Sequence, residues 1–269
     1  MKKIGVIVLI VLFFVIVFSG IYFLVFLEDK DQNSSLENSE INTPLENNEV
    51  TEKELDIHSY LVQDLYQKIN PSNDAMVLKG LYGGESLSNE YILAVGAMNY
   101  IRKNIAIDSE MVQNHMFTTS IKEEDLKKSI FEILGNIEYQ NTDFYVLNSD
   151  YGVCGFTYYN ETSSYESLNG CGGSQNESFI RRVVSARQTG NTIYITEKSI
   201  YVYIDWNDYI SRKYIYNNYH QDKMLDYKET SSTDSSPITL DSYIDEAATY
   251  EYVFKNFNGQ YIFQDFYQV

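Results

Sequence analysis

Cysteine and histidine are nearly missing from this chain of 269 residues, which carries two of the first and three of the second. No H-x-x-H, H-E-x-x-H or C-x-x-C spacing occurs, so a zinc site has no local motif to rest on. His58, His115 and His220 each stand alone in their stretch. A G-x-S-x-G nucleophile elbow is also lacking, as are the ligand spacing of an EF-hand and any internal repeat. Gly170-Cys-Gly-Gly173 has neither the Lys-Ser/Thr nor the strand and helix context of a phosphate loop, and its glycines read as tight turns beside Cys171. Asp205-Trp-Asn-Asp208 and Asn148-Ser-Asp150 cluster oxygen ligands, but Asx turns account for both without calcium. Positive charge is scarce too: 20 basic residues face 38 acidic ones, a formal net charge of −18. That balance argues against nucleic acid or anionic lipid headgroups as partners. No cofactor and no metal are expected.

What the chain does have, at its start, is an apolar run from Ile4 to Leu27 with no ionisable group except Tyr22. These 24 residues would span roughly 36 Å as a helix, enough to cross a hydrocarbon core of about 30 Å. Lys2 and Lys3 precede the run and Glu28, Asp29 and Asp31 follow it, so the positive-inside rule keeps the N-terminus cytoplasmic. The run is longer than a signal-peptide core and Ser19-Gly20 is followed by more bulky apolar residues, which favours an uncleaved signal-anchor over cleavage. The expected localisation is the cell membrane, with a single span over 1–27 and everything beyond it extracytoplasmic.

Residues 28–56 hold ten acids, with Lys30 and Lys53 as the only bases, and almost no large apolar residues. They read as a disordered acidic linker. From 57 to 269 the chain is rich in Tyr, Ile, Val and Phe, and long enough for one large domain. Ile57, Leu61, Leu65 and Ile69 predict a first helix, stopped at Asn70-Pro71. A second should start at Ser88, with Leu87 and Ile92 as a hydrophobic staple, and run to about Lys103. Ser120 and Glu123 form a capping-box pattern for a third, ended by Gly135-Asn136. A weak turn of helix is read over Ser109 to His115.

After Gly135 the pattern alternates and strands are expected at 144–147, 152–159, 179–188 and 192–196, with 200–205 a fifth strand or an extension of the fourth. A last hairpin, 250–255 and 261–267, turns at Asn258-Gly259. The expected class is α+β: an N-terminal transmembrane helix, then three helices packed on an antiparallel sheet, with a cystatin or NTF2-like cone as the picture. Residues 206–246 fit it least well.

Leu87-Ser-Asn-Glu-Tyr91, Asp125-Leu-Lys-Lys with Phe131-Glu-Ile-Leu-Gly135, Gly170-Cys-Gly-Gly173, Asn191-Thr-Ile-Tyr-Ile195 and the hairpin of 250–263 are spread over most of residues 57–269. In these stretches the chain resembles uncharacterised single-pass surface proteins of low-GC Gram-positive bacteria, a class that implies a surface location but no activity.

Cys154 and Cys171, outside the membrane, are expected to form a disulfide; the loop of 18 residues they close would contribute about 3 kcal/mol. Tyrosine is the abundant aromatic, 25 against 14 Phe and one Trp. Most tyrosines suit half-buried strand positions, but Tyr201, Tyr203, Trp206, Tyr209, Tyr214, Tyr216 and Tyr219 exceed what one sheet face needs. They are expected to form an exposed aromatic binding surface. No catalytic residue stands out. The leading expectation is a non-enzymatic, membrane-anchored domain that binds a protein or cell-wall partner. The alternatives are a tethered hydrolase acting on envelope glycans or peptides through carboxylates, and an assembly factor of an envelope complex.

Overall fold

The computed structural model describes residues 51–72, 75–83, 86–104, 119–148, 153–167, 176–207, 209–231 and 237–269. The apolar run of 4–27 and the helical turn read at 109–115 lie outside them. Among the described residues no helix is long and apolar enough to cross a membrane.

Strand β1 (Glu52–Glu54) is followed by helices α1 (Tyr60–Ile69), α2 (Ala75–Tyr82) and α3 (Asn89–Asn104). Then come β2 (Ser120–Lys122), α4 (Glu123–Leu134), β3 (Phe144–Asn148), β4 (Val153–Tyr159) and β5 (Ser164–Ser167). The rest is strand: β6 (Glu177–Thr189), β7 (Thr192–Asn207), β8 (Ile210–Tyr216), β9 (Met224–Ser231), β10 (Ala248–Phe257) and β11 (Gln260–Gln268), with a 3₁₀ turn at Leu240–Tyr243.

This corrects the expected class. The described residues are 46% strand and 28% helix, with four helices and two sheets rather than three helices on one sheet. The second sheet, β2-β5-β4-β3, is antiparallel throughout and packs its Ile121, Phe144, Val146, Phe156 and Tyr165 into the same core as the large sheet. Helices α2 and α4 each touch both sheets, and α3 is packed among the other three helices and β3. That position explains α3, which is buried on every side from Tyr91 to Asn99 and again at Ile101, and so shows no single apolar stripe. The cone picture fails because it has a single sheet, whereas two sheets share this core.

Local chemistry accounts for most boundaries. The Ser59 hydroxyl accepts from Val62 N–H at 3.4 Å to cap α1, and the Ser88 hydroxyl accepts from Tyr91 N–H at 3.3 Å to cap α3. Gly135, at φ 68, closes α4 as expected. The capping box is a correction: Ser120 pairs with Glu166 in a strand, Lys122 stands at the N-cap without a side-chain bond, and Glu123 accepts from the Tyr158 hydroxyl at 2.6 Å. The acidic stretch also ends earlier than expected. Glu52–Glu54 pairs with Arg187–Thr189, where the Glu52 carboxylate lies 3.3 Å from Arg187.

In the large sheet the path is β1-β6-β7-β10-β11, with β8 and then β9 added on β7. Strand β7 is one continuous element of 16 residues, so 200–205, readable either as a fifth strand or as an extension of the fourth, is the extension. Its Thr192–Ser199 half borders β10 and its Tyr201–Asn207 half borders β8, while β6 runs along its other edge from Thr192 to Tyr203. Ile193, Ile195 and Tyr201 face the helices; Ile200 and Val202 face a smaller core under Leu240, Tyr243 and Ala247.

Candidate functional site

Two neighbouring features share the helix-facing side of β6 and β7. The first is a buried polar knot. Glu197 of β7 is fully buried and accepts hydrogen bonds from the hydroxyls of Tyr66 on α1, Tyr82 on α2 and Tyr252 on β10, the last at 3.1 Å. Arg181 of β6 stands 3.9 Å from the Glu197 carboxylate and donates to Asn70 Oδ1 and to the Ser72 carbonyl. Burial, and then the Glu197 charge, push the Tyr66, Tyr82 and Tyr252 hydroxyls well above the usual tyrosine range. Burial works against the Arg181 charge, but Tyr82, Tyr66 and Glu197 hold it protonated. Five elements meet at this carboxylate, so its work is to fasten the helices to the sheet.

The second feature begins where the helices end. Tyr82, the last residue of α2, stacks on Phe179 at 4.3 Å between ring centroids, and Phe179 lies 5.5 Å from Tyr201 and 6.0 Å from Tyr219. Beyond them, among the described residues, no α-helix covers this face of the sheet. Strand register then places rings side by side: Phe179, Tyr201 and Tyr216 form one cross-strand row, and Glu177, Tyr203, Tyr214 and Tyr227 the next. Ring centroids are 6.3 Å apart for Tyr201 and Tyr216, 6.0 Å for Tyr203 and Tyr214, and 5.2 Å for Tyr214 and Tyr227. A third row, Asp205, Arg212 and Glu229, closes the face with ion pairs of 3.7 Å and 3.2 Å.

These rows floor an open groove of about 400 Å³ lined by Glu177, Tyr201, Tyr203, Asp205, Tyr214, Tyr216 and Gln221. Burial and a hydrogen bond to Glu177 raise the Tyr201 hydroxyl well above its ordinary value, so it stays a neutral donor. Gln221 takes φ 59, a left-handed backbone unusual for a long side chain. It sits in the β8–β9 turn, which Asn218 holds by bonding the Asp222 carboxylate at 2.7 Å and accepting from Asp222 N–H at 3.2 Å.

Of the seven aromatic residues expected to form a surface, four line the groove and Tyr219 packs at its inner end, 5.5 Å from Tyr201. Trp206 and Tyr209 do not join them. Trp206 has the opposite parity on β7 and pairs with Ser211, and Tyr209 stands in the β7–β8 turn, 82% exposed. Tyr201 is only 2% exposed, so it forms the floor rather than the rim. The sequence reading missed Glu177, Gln221 and Tyr227, and the whole polar knot. Opposed register is the signal that links Glu177 to Tyr203, and one sequence shows no register between distant strands. Cys154 is on β4 but Cys171 lies outside the described residues, and the expected disulfide with it. Among the described residues no group of three or more His, Cys, Asp or Glu is placed to hold a metal ion.

The chain matches no family model, no curated protein and no solved structure.

Proposed function

We propose that the chain is a membrane-anchored recognition protein whose outward-facing domain holds an extracytoplasmic partner in the tyrosine groove of β6 to β9. The observation that carries this reading is the cross-strand row Tyr203, Tyr214 and Tyr227, which no helix covers among the described residues. Covering that face by a partner would bury large amphipathic rings at small entropic cost. Location follows from the sequence: two lysines before the apolar run of 4–27, and the acidic residues after it.

The position of the groove supports the same reading. The chain enters the domain at Glu52, which pairs with Thr189 at one end of β6, whereas Glu177 and Tyr203 lie at the other end. Along a strand those twelve steps correspond to about 40 Å. The groove is thus at the far end of β6 from Glu52.

The test is capture of envelope material by the full chain and by a Tyr203→Ala/Tyr214→Ala variant. The wild-type chain should retain a component that the variant loses, with equal far-UV circular dichroism and melting. Equal retention by both proteins would sink the groove as the binding surface. Impermeant amine reagents on intact cells should label Lys223 and Lys228, which are exposed, and their protection would overturn the orientation.

A further inference from the structure

The charge of the groove narrows what can fill it. Neither lysine nor arginine is among its lining residues, whereas Glu177 and Asp205 both border Tyr203, one across the strands and the other two residues along β7. The nearest cation, Arg212, is shared between Asp205 and Glu229, so one positive charge serves two carboxylates. No cation pairs with Glu177 among the described residues; its contact is the Tyr201 hydroxyl. The remaining lining is four tyrosines and Gln221, and aromatic rings attract cations through the negative quadrupole of their faces. Two carboxylates beside such rings, with no lysine or arginine in the lining, suit a donor-rich cation and are poorly matched to an anion.

We propose that the groove takes the ammonium or guanidinium side chains of a basic polypeptide, seated over Tyr203 and Tyr214 and flanked by Glu177 and Asp205. This rests on the groove being the binding surface. A polypeptide is favoured over a glycan because two carboxylates border the rings with one shared counter-charge, an arrangement that neutral hydroxyls do not require and a lysine or arginine does. The size agrees: about 400 Å³ in an open trough admits one or two long side chains with the backbone lying across the mouth. Long-range attraction points the same way, since the chain carries a net charge of −18.

The test is fluorescence polarisation on the full chain in mild detergent with labelled hexalysine and hexaarginine. Labelled oligomers of glucosamine (cationic) and N-acetylglucosamine (neutral) are run beside them. The basic peptides should bind. Glu177→Gln and Tyr203→Leu should each weaken them by about tenfold, while Tyr203→Phe, which keeps the ring face, stays within about twofold. Glu161→Gln, an exposed carboxylate in the β4–β5 turn, controls for diffuse charge and should also stay within about twofold. Peptide binding that Glu161→Gln weakens as much as Glu177→Gln does would overturn the proposal. Preference for either glycan, lost in Tyr203→Leu, would overturn the polypeptide but leave the groove standing. Binding of nothing, or binding indifferent to Tyr203→Leu with circular dichroism unchanged, would sink the groove as well.

Discussion

Glu197 shows how much one buried side chain can organise. Its carboxylate is closed in by three tyrosine hydroxyls and faces Arg181, so each charge depends on the other for its stability away from water. Removing one partner of a buried ion pair leaves the other uncompensated, at a cost of about 3–5 kcal/mol. Glu197→Gln should lower the urea-unfolding free energy by that amount. Tyr82→Phe, which deletes one donor but keeps the stack on Phe179, should cost about 1–3 kcal/mol. A loss below about 1 kcal/mol for Glu197→Gln would show that the knot does not fasten the helices. Nothing in the sequence marks this residue: Thr196-Glu-Lys198 reads as a solvent-facing charge pair, and only the approach of α1 and α2 puts Glu197 inside.

At the scale of elements, what was legible follows from local chemistry. The turns at Gly190 and Asn258-Gly259, with φ of 59, 54 and 91, and the serine cap of α3 are set by residues a few positions apart, and the chain reads correctly there. What was hidden depends on distant partners. Ala75–Tyr82 is helical although nothing marks its start, and Ser164–Ser167 is a strand because β2 and β4 flank it. The sequence leaves open whether 192–205 is one strand or two, because the inner half of β7 packs toward the helices while Ile200 and Val202 of its outer half pack into the smaller core. The contact of α3 with α4 is a further case. Gly96 has no Cβ, and one added there would run into Ile130 Cγ1 and come within 3.0 Å of Leu126 Cδ1. Gly96→Leu should push the two helices apart and cost about 1–3 kcal/mol or more by chemical denaturation. An unchanged midpoint would mean that the two helices can separate freely.

For the whole molecule, the buried tyrosines set the alkaline limit. Burial raises Tyr66, Tyr82, Tyr91 and Tyr252 well above the ordinary value, so the folded state holds protons that the unfolded chain gives up. Their contribution is fully present below about pH 10 and is lost as pH rises through the folded values. Tyrosinate absorbance near 295 nm should therefore finish rising only as the circular dichroism collapses. Completion of the titration with the fold intact would contradict their burial. The Glu52 end of the sheet carries a different consequence. Strand β1 lies along β6 with its hydrogen bonds across the strand axis, and the ion pair of Glu52 with Arg187 bridges the same edge. A partner held in the groove and an anchor drawing on Glu52 would pull this joint lengthwise. Its three residue pairs would then bear the load together, as a lap joint does, instead of peeling open one by one.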